Sequence, residues 1–508
     1  MRTRRNNFSL VGRLPAEILS RIFSFHANNL SNAKNLNMRW ITVTRVCRRW
    51  RQVALSDPNL WRTIAPNLGV EWVEEMLARS KAALIYYNRE LSSLPRVSTR
   101  RYLDDEVILR KHLSRVQQLV LFGDVESLTP VMRALTTPAP HLELLDLFRD
   151  ERRSRGLCVI LPSDLFAHDA PKLRHITLHG CAVPWDSPLF RDLTHLDIRV
   201  PPSTKSDLSI PTLERLLCIL DAMPSLQVLT LDNCLPHPKS ISRLVPLRHI
   251  GKFSLNGSLP KVVAVLERVS LPSSALLSLC CPEDLAEVNS PDILLDTLVS
   301  LLAFHFQTPI SPLSRMFISE PNYNGSSLKI QVWDMDITST PARLQLHLTF
   351  AFGSALRPLA ESLPLQVCKV LPLQDLQTLE IVYSRALWSI ADWMDVSINC
   401  PKVAYLRVCR SWTFTLIPML MERNAFPSLV MLRLRDINFF DSLPTERKDL
   451  LSDALLMTLR ARSDAGIPVR HLHLWSCMLP RSWLESFKQF ANNVVLDPND
   501  LVESDYSD

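Results

Sequence analysis

His175 and His179 stand four residues apart, the spacing at which two imidazoles on one helix face share a zinc ion. They fall within PKLRHITLHGC, an alternating phrase that reads as a strand, with no intervening Glu and no third ligand in view, so they read as surface histidines. Cys280 and Cys281 are adjacent and cannot chelate one metal comfortably; they read as buried thiols. The chain has ten glycines, and no two lie closer than Gly251 and Gly257. A dinucleotide-binding turn, a phosphate loop and a nucleophile elbow all need closer glycines. No catalytic residue, metal site or cofactor is expected.

Recognition chemistry is better represented. The phrase apolar-x-x-apolar-x-apolar, often preceded by Pro two residues earlier, recurs at 140–147, 171–178, 224–231, 401–408 and 427–434, with less complete copies at 116–121, 193–198, 376–381 and 469–474. On a strand, the residues between and flanking the apolar ones face the opposite side. In the last three copies these are Tyr405, Arg407 and Cys409; Met431, Arg433 and Arg435; and His471, His473 and Trp475. Arg407, Arg433 and His473 share the central position, and stacked strands would set them about 5 Å apart per step. Guanidinium groups pair bidentately with carboxylate or phosphate, so a ladder framed by Tyr405 and Trp475 suits an acidic or phosphorylated segment. Earlier strands offer Asp146, Asp197, Asp232 and Glu380 instead, and the face is expected to change sign along its length. The competing reading is a solvated strand face, with the 40 residues from Leu432 to Leu472 breaking the stacking.

The elements that must carry these residues also repeat. Helix-period segments such as 213–223 and 449–462 precede several phrases, giving a unit of helix, turn and short strand. Such a unit cannot bury its apolar face alone, and stacking makes the continuous core of a solenoid. Three copies reach a cysteine soon after the strand, Cys181, Cys234 and Cys477, where a leucine-rich repeat places a buried Asn or Cys. The spacing is uneven. The middle is least regular: 260–310 is apolar and helical, while 327–334 and 343–350 alternate with period two like a hairpin whose place in the array the pattern leaves open.

The N-terminal stretch is patterned differently. Pro15 suits a first helical position and Glu17 the first turn, and Ile18, Leu19, Ile22 and Phe23 form an apolar stripe. Trp40, Val43, Cys47, Trp50 and Ala54 follow at steps of three and four, an a/d-type seam. Pro58 then turns the chain so that Leu60 and Trp61 fold back. Fifty residues with this little core are marginal alone, so the module needs a partner.

Leu14-Pro15, Glu17-Ile18-Leu19, Ile22-Phe23, Val46-Cys47, Trp50, Pro58 and Leu60-Trp61 resemble the F-box, in its order and near its spacing; the insert from Ala27 to about Met38 is longer than many members carry. With the irregular repeats, the chain is also similar to the expanded F-box families of basidiomycete fungi. The resemblance implies an α/β protein: a basic segment (1–13), a small helical F-box (14–64), a helical connector (65–105), an irregular leucine-rich-repeat solenoid (106–496) and an acidic tail (497–508). It further implies a non-catalytic substrate adaptor of a ubiquitin ligase. Leu14, Pro15, Ile18, Leu19, Ile22, Phe23, Val46, Cys47 and Trp50 would dock a Skp-type adaptor and through it a cullin. Tyr405, Arg407, Arg433, Arg435, His473 and Trp475 would hold a protein substrate. A scaffold working without ubiquitin transfer is one alternative, and a nucleic-acid-binding protein using the basic N-terminal module is a second, less favoured one.

Composition fits this reading. A 47 % apolar chain of 508 residues has room for a small module plus a large folded array. No signal-like or membrane-spanning run is found, and eleven cysteines without a C-x-x-C pair suit reduced thiols, which points to cytoplasm or nucleus. Through Arg62 there are 12 Lys and Arg against 2 Asp and Glu, and the remainder carries 45 against 49, so the net charge of +6 arises entirely in the first module. That patch could attract nucleic acid, but the resemblance favours an acidic protein partner.

Overall fold

Pro15 has no N–H to offer, and α1 (Ala16–Asn29) starts directly after it, the Leu19 amide donating to the Pro15 carbonyl at 3.1 Å. The a/d seam does not continue as one helix. Ile41-Thr42-Val43-Thr44 is a β-branched run that loses side-chain freedom in an α-helix, and Met38–Arg45 winds as a 3-10 helix instead. Cys47 then caps α2 (Arg48–Ser56), its sulfur accepting from the Trp50 amide at 3.4 Å. Asp57 accepts from the Asn59 amide and starts the turn Pro58–Trp61, which returns Leu60 and Trp61 to the interior, as the sequence pattern predicts.

This is a computed structural model describing residues 13–29, 38–64, 68–91, 104–152, 156–201, 210–285, 288–307, 311–320, 327–334, 342–352, 357–382, 388–443, 450–479 and 481–496. The mixed α/β chain divides into two units, residues 1–234 and 235–508. The expected basic segment (apart from Arg13), most of the Asn-rich insert and the acidic tail lie outside the described residues.

In the first unit the helical module is followed by a parallel sheet. Its strands are β1 (Thr63–Ile64), β2 (Ile85–Glu90), β3 (Val116–Gly123), β4 (Leu144–Arg149), β6 (His175–His179), β8 (His195–Arg199) and β9 (Val228–Asp232), in that order. The short β5 (Val159–Ile160) and β7 (Cys181–Ala182) pair separately. The segment expected to be a helical connector supplies one helix, α3 (Val70–Ser80), and then β2: the alternation in IYYNRE is a strand pattern that the helical reading missed. Helices α4 (Asp105–His112), α5 (Val125–Met132) and α6 (Leu213–Asp221) precede or follow strands, but among the described residues the connections around β6 hold, besides β5 and β7, a short 3-10 turn, Leu165–His168, and no α-helix.

In the second unit, β10 (Val245–Pro246) pairs with β12 (Val269–Ser270). The main sheet runs β11 (Lys252–Asn256), β13 (Leu276–Asp284), β16 (Leu344–Ala351), β15 (Ser327–Asp334), β14 (Leu313–Ser319), β17 (Thr378–Val382), β18 (Tyr405–Cys409), β19 (Met431–Arg435), β20 (His471–Trp475) and β21 (Asn493–Leu496). β15 and β16 are the hairpin seen in the sequence. It lies inside the sheet: β14–β15–β16 is antiparallel, while β13–β16 and β14–β17 are parallel. Helices α7 (Leu259–Leu266), α8 (Pro291–His305), α9 (Arg357–Val370), α10 (Ile390–Asn399), α11 (Thr413–Met419), α12 (Leu451–Asp464) and α13 (Arg481–Lys488) connect the strands.

Both units repeat one local device. Before the strand, the first apolar residue of the phrase closes a turn: Leu142 to Ala139 (3.0 Å), Leu173 to Ala170, Leu226 to Met223, Val403 to Cys400 and Leu429 to Phe426 (3.0 Å), amide to carbonyl. Within the strand the two leucine-type residues are buried, as at Leu406 and Val408, Leu432 and Leu434, and Leu472 and Leu474, each contributing about 2 kcal/mol. Three residues after the central open-face position the backbone turns left-handed, at Gly180, Asn233, Arg410, Asp436 and Ser476. Cys181, Cys234 and Cys477 come next. All are buried, and each thiol donates to a backbone carbonyl, Cys234 to Ile198 at 3.8 Å and Cys477 to Trp475 at 3.3 Å. Burial pushes the Cys181 thiol up to about 12, so it stays protonated as a donor.

Candidate protein-interaction surfaces

The helical module closes its own core. Leu19 and Phe23 are buried, the Phe23 and Trp50 rings lie 5.0 Å apart, and Trp40 meets Trp61 edge-on at 5.1 Å. The Trp61 indole N–H donates to the Ala54 carbonyl at 2.9 Å, Ser20 donates to Asp57, and Arg49 donates to the Leu14 carbonyl. Leu19 and Phe23, expected among the docking residues, thus support the module from within. Leu14, Cys47 and Trp50 are half-buried. Pro15, Ile18, Ile22 and Val46 face solvent, Ile18 at 44 % and Val46 at 59 % exposure. Phe25, 71 % exposed, was missed, although it extends Ile18 and Ile22 at i, i+4 and i+7. Arg21, Arg45, Arg48, Arg49 and Arg51 are also exposed.

The second candidate lies in the second unit, on the sheet face opposite the buried leucines. Glu380, Arg407, Arg433 and His473 are register partners on β17 to β20. The long interval between Leu432 and Leu472 does not interrupt the stacking: β19 and β20 pair in parallel register, with α12 lying between them in the chain. Glu380 is buried and its carboxylate accepts from Arg315 at 2.6 Å and from Arg407 at 3.1 Å. Arg407 is therefore already paired. The Arg433 guanidinium lies over the Trp475 ring, 4.9 Å from its centroid, and Arg435 meets Asp436 at 3.4 Å. Tyr405 is half-buried beside Met431 and His471 in register, and Cys409 is buried, its thiol pushed up to about 11 by burial. His473 is held below the usual imidazole range, first by burial and then by Arg433 and His471.

In the first unit the corresponding row is Asp146, Thr177, Asp197 and Thr230. Thr230, not Asp232, holds the central position; Asp232 pairs with Arg199 one row on. His175 lies 3.4 Å from Asp146 and stacks on His195, and His179 lies 3.3 Å from Asp197. Arg199 and His179 hold the Asp197 carboxyl near 2 against the opposing effect of its burial. The two histidines read as a zinc-spacing pair therefore each serve an aspartate. Among the described residues no group of three or more His, Cys, Asp or Glu is arranged to hold a metal, and no helix is long and apolar enough to cross a membrane.

A comparison with curated proteins finds no match. Among solved structures, a protein from Bacteroides fragilis is similar over 79 % of this chain and 70 % of its own at 11 % identity, with a TM-score of 0.17, which carries no argument. The family comparison is specific and local: residues 11–67 match the F-box-like family, so the module that buries Leu19, Phe23 and Trp61 is an F-box-like domain of the kind that binds Skp-type adaptors.

Proposed function

We propose that the chain is the substrate-recognition adaptor of a Skp/cullin/F-box ubiquitin ligase. The observation that carries this reading is the exposed apolar set Ile18, Ile22, Phe25 and Val46 on an F-box-like domain whose own core is already complete. Exposed apolar side chains on so small a module suit a docking surface, and the exposed arginines beside them in sequence suit an acidic partner. The strand-rich region is then an irregular leucine-rich-repeat solenoid that holds a protein substrate on its open face. Chemistry occurs elsewhere in the complex. This chain contributes proximity, raising the effective concentration of a substrate lysine near the thioester. The experiment is co-purification of the full chain with a Skp-type adaptor and a cullin. Adaptor without cullin would favour a scaffold role, and neither would reject the proposal.

A further inference from the structure

Four arginines, Arg315, Arg407, Arg433 and Arg435, line the open face of the second unit's β14 and β17 to β20. Three meet a carboxylate: Arg315 and Arg407 share Glu380, and Arg435 has Asp436. Arg433 differs. Among the described residues no carboxylate lies within ion-pair distance of it; its Nε, like those of Arg407 and Arg435, is buried without a hydrogen-bond partner. It is nonetheless fixed in place, its guanidinium packed over Trp475 at 4.9 Å. A cation stacked on an indole loses little freedom when it later pairs with an anion, because its position is already set.

His473 is the register partner of Arg433. The groups facing it are Arg433 and Arg435 from β19, His471 and Trp475 on its own strand, and Asn493 and Val495 from β21. None is acidic. His473 is disfavoured as a cation by burial, by Arg433 and by His471. A bound anion reverses that second effect, since it neutralises Arg433 and offers His473 an acceptor.

We propose that Arg433, seated on Trp475 and flanked by His473, is a receptor for one oxyanion group carried on an extended protein segment, and that its occupation draws a proton from solvent onto His473. The site rests on reading this face as the one that holds a partner. A protein segment fits better than nucleic acid, because three of the four arginines are internally paired and the strands present one open cationic centre rather than a track of phosphate contacts.

The test uses the full chain and a tetramethylrhodamine-labelled peptide bearing one sulfate ester and no His, Asp or Glu, so that its charge is constant over the range examined, unlike phosphate. Fluorescence anisotropy at fixed ionic strength is expected to show affinity rising about fivefold between about pH 7.5 and about pH 5.5. His473→Gln should flatten the pH dependence, so that affinity no longer rises toward about pH 5.5. Arg433→Gln should weaken binding about tenfold at both ends, whereas Arg407→Gln should change it less than about twofold. Competition by inorganic phosphate, by a phosphoserine peptide and by a glutamate peptide then distinguishes free ion, phosphorylated segment and acidic segment. Binding independent of pH, equal losses in the two arginine variants, or tighter binding of single-stranded RNA would overturn the proposal. Failure to capture a Skp-type adaptor would leave these results untouched, so the two readings fail separately.

Discussion

The carboxylate of Glu380 accepts from Arg407 at 3.1 Å across neighbouring strands of the second unit, and from Arg315 at 2.6 Å on the other side. Glu380 is 5 % exposed, so this is a buried acid shared by two cations on an otherwise basic face. Glu380→Gln should lower stability by about 1–2 kcal/mol, less than for a fully buried pair because Arg315 is half in solvent. The same change releases Arg407 beside Arg433, and the sulfated probe should bind severalfold more tightly. Thermal unfolding and anisotropy on one preparation check both effects; a weaker probe affinity would contradict the pairing.

Gly180 sits at the left-handed position after β6, with φ 75°, and a Cβ there would collide with the buried Arg149 side chain. Gly466 has a similar φ of 77° but open space around it. Gly466→Ala should therefore cost about 1 kcal/mol from backbone strain alone, and Gly180→Ala clearly more. Equal shifts in urea midpoint would mean that Arg149 does not pack against that turn.

His112 in the first unit accepts from Arg115 at 3.3 Å and is held at about 4, by burial first and then by Arg115 and Lys111. Its folded-state value lies below the ordinary 6.5, so between those values the unfolded chain binds the extra proton. Stability from this group is therefore complete above about pH 6.5 and is lost as pH falls toward about 4. His112→Gln should be less sensitive to acid than the parent chain over that window when urea midpoints are compared. Parallel curves would remove His112 as a source of acid sensitivity.

The sequence was most informative where side-chain pattern and backbone geometry coincide. The L-x-x-L-x-L phrase gave the strands, the alternation in 327–350 gave the hairpin, and Cys181, Cys234 and Cys477 gave the buried turn. At β9 the central position is Thr230, which the phrase Leu226-x-x-Leu229-Thr230-Leu231 itself marks, and Asp232, expected there, lies one row on beside Arg199. The sequence was least informative where long-range pairing decides. The pairing of Arg407 with Glu380, which leaves Arg433 as the open centre, joins residues 27 apart in the chain and has no local signature. In the helical module the apolar stripe was legible, but its division was not. Ile18 and Leu19 are neighbours of the same type, and only the packed helices show one facing solvent and the other the core.

That division supplies the most direct measurement of the central claim. Full-length chain, Ile18→Ala/Ile22→Ala chain and Leu19→Ala chain would each be passed over a column of immobilised Skp-type adaptor, with a cullin in the mobile phase and thermal unfolding recorded in parallel. The parent chain is expected to retain adaptor and cullin together. The exposed double variant should lose the adaptor, each anchor costing about 2 kcal/mol, at unchanged unfolding temperature, while Leu19→Ala should lose about 2–5 kcal/mol of module stability. Undiminished retention of the Ile18→Ala/Ile22→Ala chain, or no retention of the parent, would contradict that claim.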